Sequence, residues 1–191
     1  MAGPLLAVDA PSLLYRAFFA LPSSIDNNAL LGCANQVLWA IERHRPRAVV
    51  MCFGAEAAVY RKELFPAYHA DRPEMPGDLA RQWADSRAFF ESFGWLVLDH
   101  DTLEADDLLG SLATIEAQAG GGAVLFTGDR DMFQCVGGRV SVLFPGGKEG
   151  PQVVDEAGVR ERYGIEPAQV PDFIALRGDP SDGIPGAKGI G

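Results

Sequence analysis

Residues 95–131, WLVLDHDTLEADDLLGSLATIEAQAGGGAVLFTGDRD, hold two short apolar runs and one longer amphipathic stretch between them. WLVL (95–98) and AVLFT (123–127) have the length and composition of buried strands. Residues 104–119 place Leu108, Leu112 and Ile115 at steps of four and three. That spacing predicts a helix with one inward stripe, and the glycines at 120–122 mark its end. The same alternation extends outward. LLAV (5–8), ending at Asp9, and AVVMCF (48–53) predict two more strands, and helices are predicted over 29–43 and 77–93. On the other side, VSVLF (140–144) and QVV (152–154) predict a hairpin around PGGKEG. Asp155 can cap a helix ending at Tyr163-Gly164, and a last helix spans 171–177, between Pro171 and Gly178. The fold class that follows is α/β, with a mainly parallel central sheet flanked by helices. Residues 54–76, broken by Pro66, Pro73 and Pro76, are too polar for one long core helix.

At 191 residues, with 48% apolar and 22% charged side chains, the chain fits one ordinary domain with a full core and is not a disordered segment. No apolar run approaches the roughly 18 residues needed to span a bilayer. The start, MAGPLLAVDAP, lacks the pattern of a signal peptide. Three cysteines, Cys33, Cys52 and Cys135, have no CxxC spacing, which favours reduced thiols and a cytoplasmic location. The ending GIPGAKGIG carries four glycines in nine residues, so the chain is expected to be truncated there. The net charge of -10 argues against a polyanionic partner, unless the acids are concentrated in one place.

They are concentrated. Asp9 follows one strand, Asp129 and Asp131 follow another, and Glu104, Asp106 and Asp107 open the helix after a third. Ligands of open parallel sheets bind beyond the carboxyl ends of strands. Glu104 lies four residues before Leu108, on the inward stripe, with Asp107 beside it; Asp106 points elsewhere on an ideal helix. Asp179 and Asp182 follow the last helix. Eight carboxylates in one place need cations, and all-oxygen ligands favour Mg²⁺ or Mn²⁺ over zinc. Two such ions, about 4 Å apart, would clamp a phosphodiester. Setting those eight aside leaves 18 acids against 16 bases, close to neutral.

LLAVDAPSLLYRAFFAL, YRKELFPAYHADRPEMPGDL, EADDLLGSLA, FTGDRDMFQ, YGI and LRGDPSDGIPGAKGIG occur in this order over nearly the whole chain. In these stretches the chain resembles the 5′ nuclease domain of bacterial DNA polymerase I and the stand-alone flap endonucleases. The resemblance implies a PIN-like fold with a helical arch at about 55–90 and a nuclease core over 1–170. It also implies the start of a helix-hairpin-helix-type DNA-binding motif at 171–191. The implied metal ligands are Asp9, Glu104, Asp106, Asp107, Asp129, Asp131, Asp179 and Asp182, with Mg²⁺ or Mn²⁺, two ions, as cofactor. It is the resemblance that nominates Asp106. The implied activity is hydrolysis of DNA at 5′ flaps, nicks and 5′ ends in replication and repair, by a monomer associated with the nucleoid. Arg16 is the implied phosphate contact, with Tyr68, His69 and Arg72 at the base of the arch. Arg61 and Lys62 flank the arch as phosphate-binding candidates. Gly186, Lys188, Gly189 and Gly191 are the candidates in the DNA-binding motif, where K⁺ is a possible further ion.

Three departures stand out. Gly54 occupies the place of the Asp in the family's FDA, His69 the place of the lysine in its YK pair, and the chain stops at GIG. They raise a second possibility, a weakened module that binds flaps or duplex ends, which a Gly54→Asp restoration would distinguish. A third is a PIN-type ribonuclease, disfavoured by GDPSDGIPGAKGIG. Tyr15, Phe18 and Phe19, and Trp83, Phe89, Phe90 and Phe93, are expected in the core, as are Cys52 and Cys135.

Overall fold

The computed structural model describes residues 3–146 and 150–190. Six strands form one sheet in the order β3-β2-β1-β4-β5-β6. β1 (Leu5–Asp9), β2 (Ala48–Cys52), β3 (Leu96–Leu98), β4 (Ala123–Phe126) and β5 (Val140–Phe144) run parallel, and β6 (Gln152–Val154) returns antiparallel beside β5 as the expected hairpin. β1, at the centre, is buried along its whole length, which is why it reads as a continuous apolar run.

Helices cover both faces, and side-chain alternation sorts the core into two halves. Leu6 and Val8 pack with α1 (Ala10–Ala20), α2 (Asn28–His44) and α4 (Gly77–Glu91). Leu5 and Ala7 face α5 (Ala105–Gln118), α6 (Glu156–Tyr163) and the start of α7 (Val170–Arg177). A short helix, α3 (Val59–Leu64), and a two-stranded ribbon, β7 (Gly178–Asp179) with β8 (Ile184–Pro185), lie outside this core.

The α/β class is as expected, and several details differ. α1 was not among the expected helices, yet its signals are local: Asp9 accepts the Ser12 N–H as N-cap, and Pro11 sits in the first turn. The α5 stripe has another phase. Ile115 is exposed, whereas Ala105, Leu108, Leu109 and Ala113 are buried. Asp106 precedes Leu109 by three and Ala113 by seven, so it lies on the inward side after all. Of the aromatic residues expected inside, Phe90 is buried, Tyr15, Phe18, Trp83 and Phe89 are partly so, and Phe19 and Phe93 are exposed. Cys52 is buried and Cys135 only partly, and all three thiols are free.

The stretch expected as an arch divides. α4 belongs to the core through buried Leu79 and Phe90. Its buried Gln82 accepts the Ala29 N–H at 2.8 Å at the start of α2. The part outside the two halves of the core is therefore roughly 55–74. No described helix is long and apolar enough to cross a membrane.

Candidate active site

Strand order reverses between β1 and β4, so the chain leaves a crevice at their carboxyl ends. Asp9 ends β1, and Thr127, Gly128 and Asp129 follow β4. Asp9 is buried, with its Oδ1 accepting the Ser12 N–H at 3.0 Å and its Oδ2 accepting the Thr127 hydroxyl at 2.6 Å. Asp129 Oδ1 accepts the Asp131 N–H at 2.8 Å, which turns the chain into a 3₁₀ helix over Asp131–Cys135. Asp131, Asp179 and Asp182 each offer a carboxylate oxygen, all within 4.8 Å of one another. From α5, Asp106 enters the same region, and its buried Oδ1 has no hydrogen-bond partner.

The charges strain this arrangement. Burial, opposed by the Thr127 and Ser12 hydrogen bonds and reinforced by Asp129, pushes Asp9 up to about 6. Burial and then Asp129, Asp179 and Asp182 push Asp131 up to about 7. Asp106 is raised well above the ordinary carboxylate value by burial, then by Asp9, Asp129, Glu104 and Asp131. Asp129 is raised chiefly by burial. A buried, unpartnered carboxylate oxygen among like charges is the situation a bound cation relieves.

Glu104 and Asp107 are differently placed. Glu104 Oε1 accepts the Ala58 N–H at 2.7 Å and an Arg61 N–H at 3.1 Å, and its Oε2 accepts the Tyr68 hydroxyl at 3.1 Å. Arg61 forks onto both oxygens of Asp107 at 2.8 Å. Burial alone would raise Asp107, but Arg61 and the Glu104 N–H hold it below the usual carboxylate range. Asp107 is thus already neutralised by a protein cation, and Arg61 is engaged on carboxylates rather than free for a phosphate. Lys62 is exposed on α3.

The segment 65–72 docks on the loop after β7. His69 stacks on Tyr68, with ring centroids 3.8 Å apart. Its Nε2 lies 2.8 Å from Asp182 Oδ1 and its Nδ1 3.0 Å from the Glu56 carbonyl. Its side chain is only 3% exposed. Arg72 also reaches Asp182, at 3.4 Å. Arg16 lies elsewhere, donating to the Gly146 carbonyl at 2.8 Å. Two clefts of about 890 Å³ open onto the carboxylates, and Arg72, Glu104, Asp106, Asp129 and Asp131 border both.

The glycine motif is only partly available to a ligand. A Cβ on Gly186 would lie 2.2 Å from the Arg177 carbonyl oxygen, and one on Gly178 2.3 Å from the Gly186 nitrogen. These glycines let the two strands of the ribbon approach, and the Ala187 N–H caps the Leu176 carbonyl at the end of α7. Gly189, at φ +88°, is in open space, and Lys188 is exposed. Gly191 lies outside the described residues. Thr127 and Ser12 were not singled out from sequence; their signal was position alone, beside Asp129 and one turn after Asp9.

The raised carboxylates give a pH dependence. Between about pH 4 and 7 the metal-free folded chain holds more protons than the unfolded chain, so its stability falls as pH rises through that window. His44, lowered by burial, works weakly the other way. A two-unit shift at one group corresponds to at most about 3 kcal/mol, and about 1 kcal/mol moves Tm by roughly 2–4 °C at this chain length. Calorimetry in EDTA should therefore find Tm lower at pH 8 than at pH 5, by at least about 4 °C, with added Mn²⁺ restoring most of it at pH 8. An equal or higher Tm at pH 8 in EDTA would contradict this.

Comparison with known proteins places the chain in a family. Residues 4–164 match the family described as 5′-3′ exonuclease, N-terminal resolvase-like domain. DNA polymerase I of Mycobacterium tuberculosis is 36% identical over 98% of the chain, and the thermostable DNA polymerase I of Thermus thermophilus is 38% identical over 99%. The chain spans only about a fifth of either protein, 22% and 23%. Among solved structures, the T5 5′-exonuclease with bound zinc ions superposes with a TM-score of 0.79 at 19% identity, covering 98% of this chain and 71% of that one. The catalytic core of Rad2 in complex with a DNA substrate gives 0.64 at 18%, covering 100% and 57%. The fold is that of 5′ nucleases, with its carboxylates gathered at the switch point of a parallel sheet. The chain belongs to the 5′-3′ exonuclease, N-terminal resolvase-like domain family.

Proposed function

We propose that this chain is a divalent-cation-dependent nuclease that hydrolyses DNA at 5′ flaps, nicks and 5′ ends. The observation that carries the proposal is a chain of mutually repelling carboxylates from four segments: Asp131, Asp179 and Asp182 offer oxygens within 4.8 Å of one another, Asp129 and Asp131 also act on Asp106 beside Asp9, and one buried oxygen of Asp106 has no partner. The all-oxygen donor set suits Mg²⁺ or Mn²⁺. Those six residues would hold one or two ions. Bound there, such ions would neutralise a phosphodiester and activate water beside it. Family membership and the relatives named DNA polymerase I support the reaction. The metal ions on the T5 exonuclease and the DNA on Rad2 support cofactor and substrate.

The chain's own residues have separable tasks. Glu104 fastens the start of α5 to 58–68 through Ala58, Arg61 and Tyr68, which sets where Asp106 enters the site. Arg61 takes Asp107 out of the anionic cluster. His69 and Arg72 place nitrogen donors at Asp182, beside the two clefts, where a phosphate oxygen could replace the carboxylate. The residues 171–190 are proposed to approach the duplex backbone. Replication and repair are the proposed setting.

The test is cleavage of a 5′-end-labelled flap duplex by this chain in Mg²⁺, beside an RNA flap of the same sequence. A DNA product of flap length, absent in EDTA and exceeding RNA cleavage, is expected. Tight flap binding without any cut favours a binding module, and preferred RNA cleavage favours a PIN-type ribonuclease. Either outcome overturns the proposal.

A further inference from the structure

Beyond the carboxylates themselves, we propose that Thr127 is a positioning residue, whose hydroxyl fixes Asp9 at the end of β1 and Asp129 in the turn after β4 so that both can serve the same cation. The inference rests on the metal-dependent reading above. Parallel pairing of β1 with β4 ends at Val8 and Phe126, so Asp9 and Thr127 stand side by side one step further along. Leu5, Ala7, Ala123 and Leu125 all face α5, and by alternation so do Asp9 and Thr127. The hydroxyl, on a fully buried residue, donates to Asp9 Oδ2 at 2.6 Å and accepts the Asp129 N–H at 3.0 Å.

Only a hydroxyl does both at this size. It carries one donor and two acceptor lone pairs, where the isosteric valine has neither. Without it, Asp9 keeps only its hydrogen bonds with Ser12 and the Asp129 N–H loses its acceptor. The Asp129 turn is in turn what delivers Asp131, through the bond from the Asp131 N–H to Asp129 Oδ1. One hydroxyl therefore links three of the proposed ligands. Ser12 braces the same junction from the other side, its Oγ accepting the Gly128 N–H at 3.2 Å.

The test compares Mn²⁺ binding, followed by loss of the free-ion EPR signal, in the wild type, Thr127→Val and Thr127→Ser, with Tm in EDTA and flap-cleavage kcat and KM alongside. Loss of a partner that orients a metal ligand typically costs about 10–100-fold in affinity or activity. T127V should bind Mn²⁺ at least about tenfold more weakly and lose kcat with KM for flap DNA unchanged. T127S should stay within about threefold of the wild type. Should T127V fail to fold, Thr127→Cys takes its place, since a thiol is a weak donor of similar size. A T127V or T127C protein that binds Mn²⁺ as tightly as the wild type overturns the inference. So does a T127S protein as weak as T127V. A wild type that takes up no Mn²⁺ overturns the parent reading and this inference with it.

Discussion

Asp106→Asn is expected to lower flap cleavage by at least about 100-fold while raising the Tm of the metal-free chain. The two effects have opposite signs because they come from the same charge. Asp106 sits among Asp9, Asp129, Glu104 and Asp131, with one oxygen buried and unpartnered, so its ionised form is penalised in the fold. An amide removes that penalty, which grows as pH rises. It also removes the anionic oxygen proposed to hold a cation, a larger loss than the 10–100-fold that supporting partners of a metal site typically cost. Calorimetry in EDTA and single-turnover cleavage in Mg²⁺ give the two numbers. Cleavage within threefold of the wild type would remove Asp106 from the site. A fall in Tm would show that the carboxylate is satisfied as it stands.

Gly54→Asp is expected to damage the protein rather than restore a ligand. Gly54 follows β2 on the side that faces α5, two residues beyond buried Cys52. A Cβ there would lie 2.4 Å from the Leu103 carbonyl oxygen, 2.6 Å from the Glu104 carbonyl carbon and 2.7 Å from the Ala105 nitrogen. These are backbone atoms, and the Ala55 N–H is bonded to that same Leu103 carbonyl at 2.8 Å. Any side chain must push the start of α5 away, and Asp106 with it. Overpacking of this kind costs about 1–3 kcal/mol, and a further buried carboxylate adds to the cost. Tm should fall by roughly 5 °C or more, and cleavage by at least about tenfold. Gly54→Ala, with no charge, should show most of the loss in Tm. A G54D protein with unchanged Tm and higher cleavage would contradict the packing argument. The substitution therefore does not separate an enzyme from a binding module; flap binding with or without a cut does that.

Much of the fold was legible because its strands are short apolar runs ending at acids, and that placed Asp9, Asp129 and Asp131 at one sheet edge. Asp106 is not legible from periodicity because Ile115 extends the apparent stripe, whereas the small residues Ala105 and Ala113 are what α5 turns inward. Asp107 looked equivalent to its neighbours, since nothing local reveals that Arg61, 46 residues away, closes on it. Nor does anything local to His69 reveal its partner Asp182, 113 residues on. Gly54 and Gly186 stood in sequence as a lost ligand and a phosphate-binding glycine. Each is held as glycine by backbone packed against its Cα, a relation that exists only in three dimensions.

Asp9, Asp106, Asp129, Asp131, Asp179 and Asp182 are proposed to form a divalent-cation site, which anomalous scattering from Mn²⁺ in crystals of this chain would locate. One or two manganese peaks are expected among these residues, with loss of occupancy in Asp106→Asn. Saturating Mn²⁺ with no peak among these residues, or with manganese only at acids elsewhere on the surface, would contradict it.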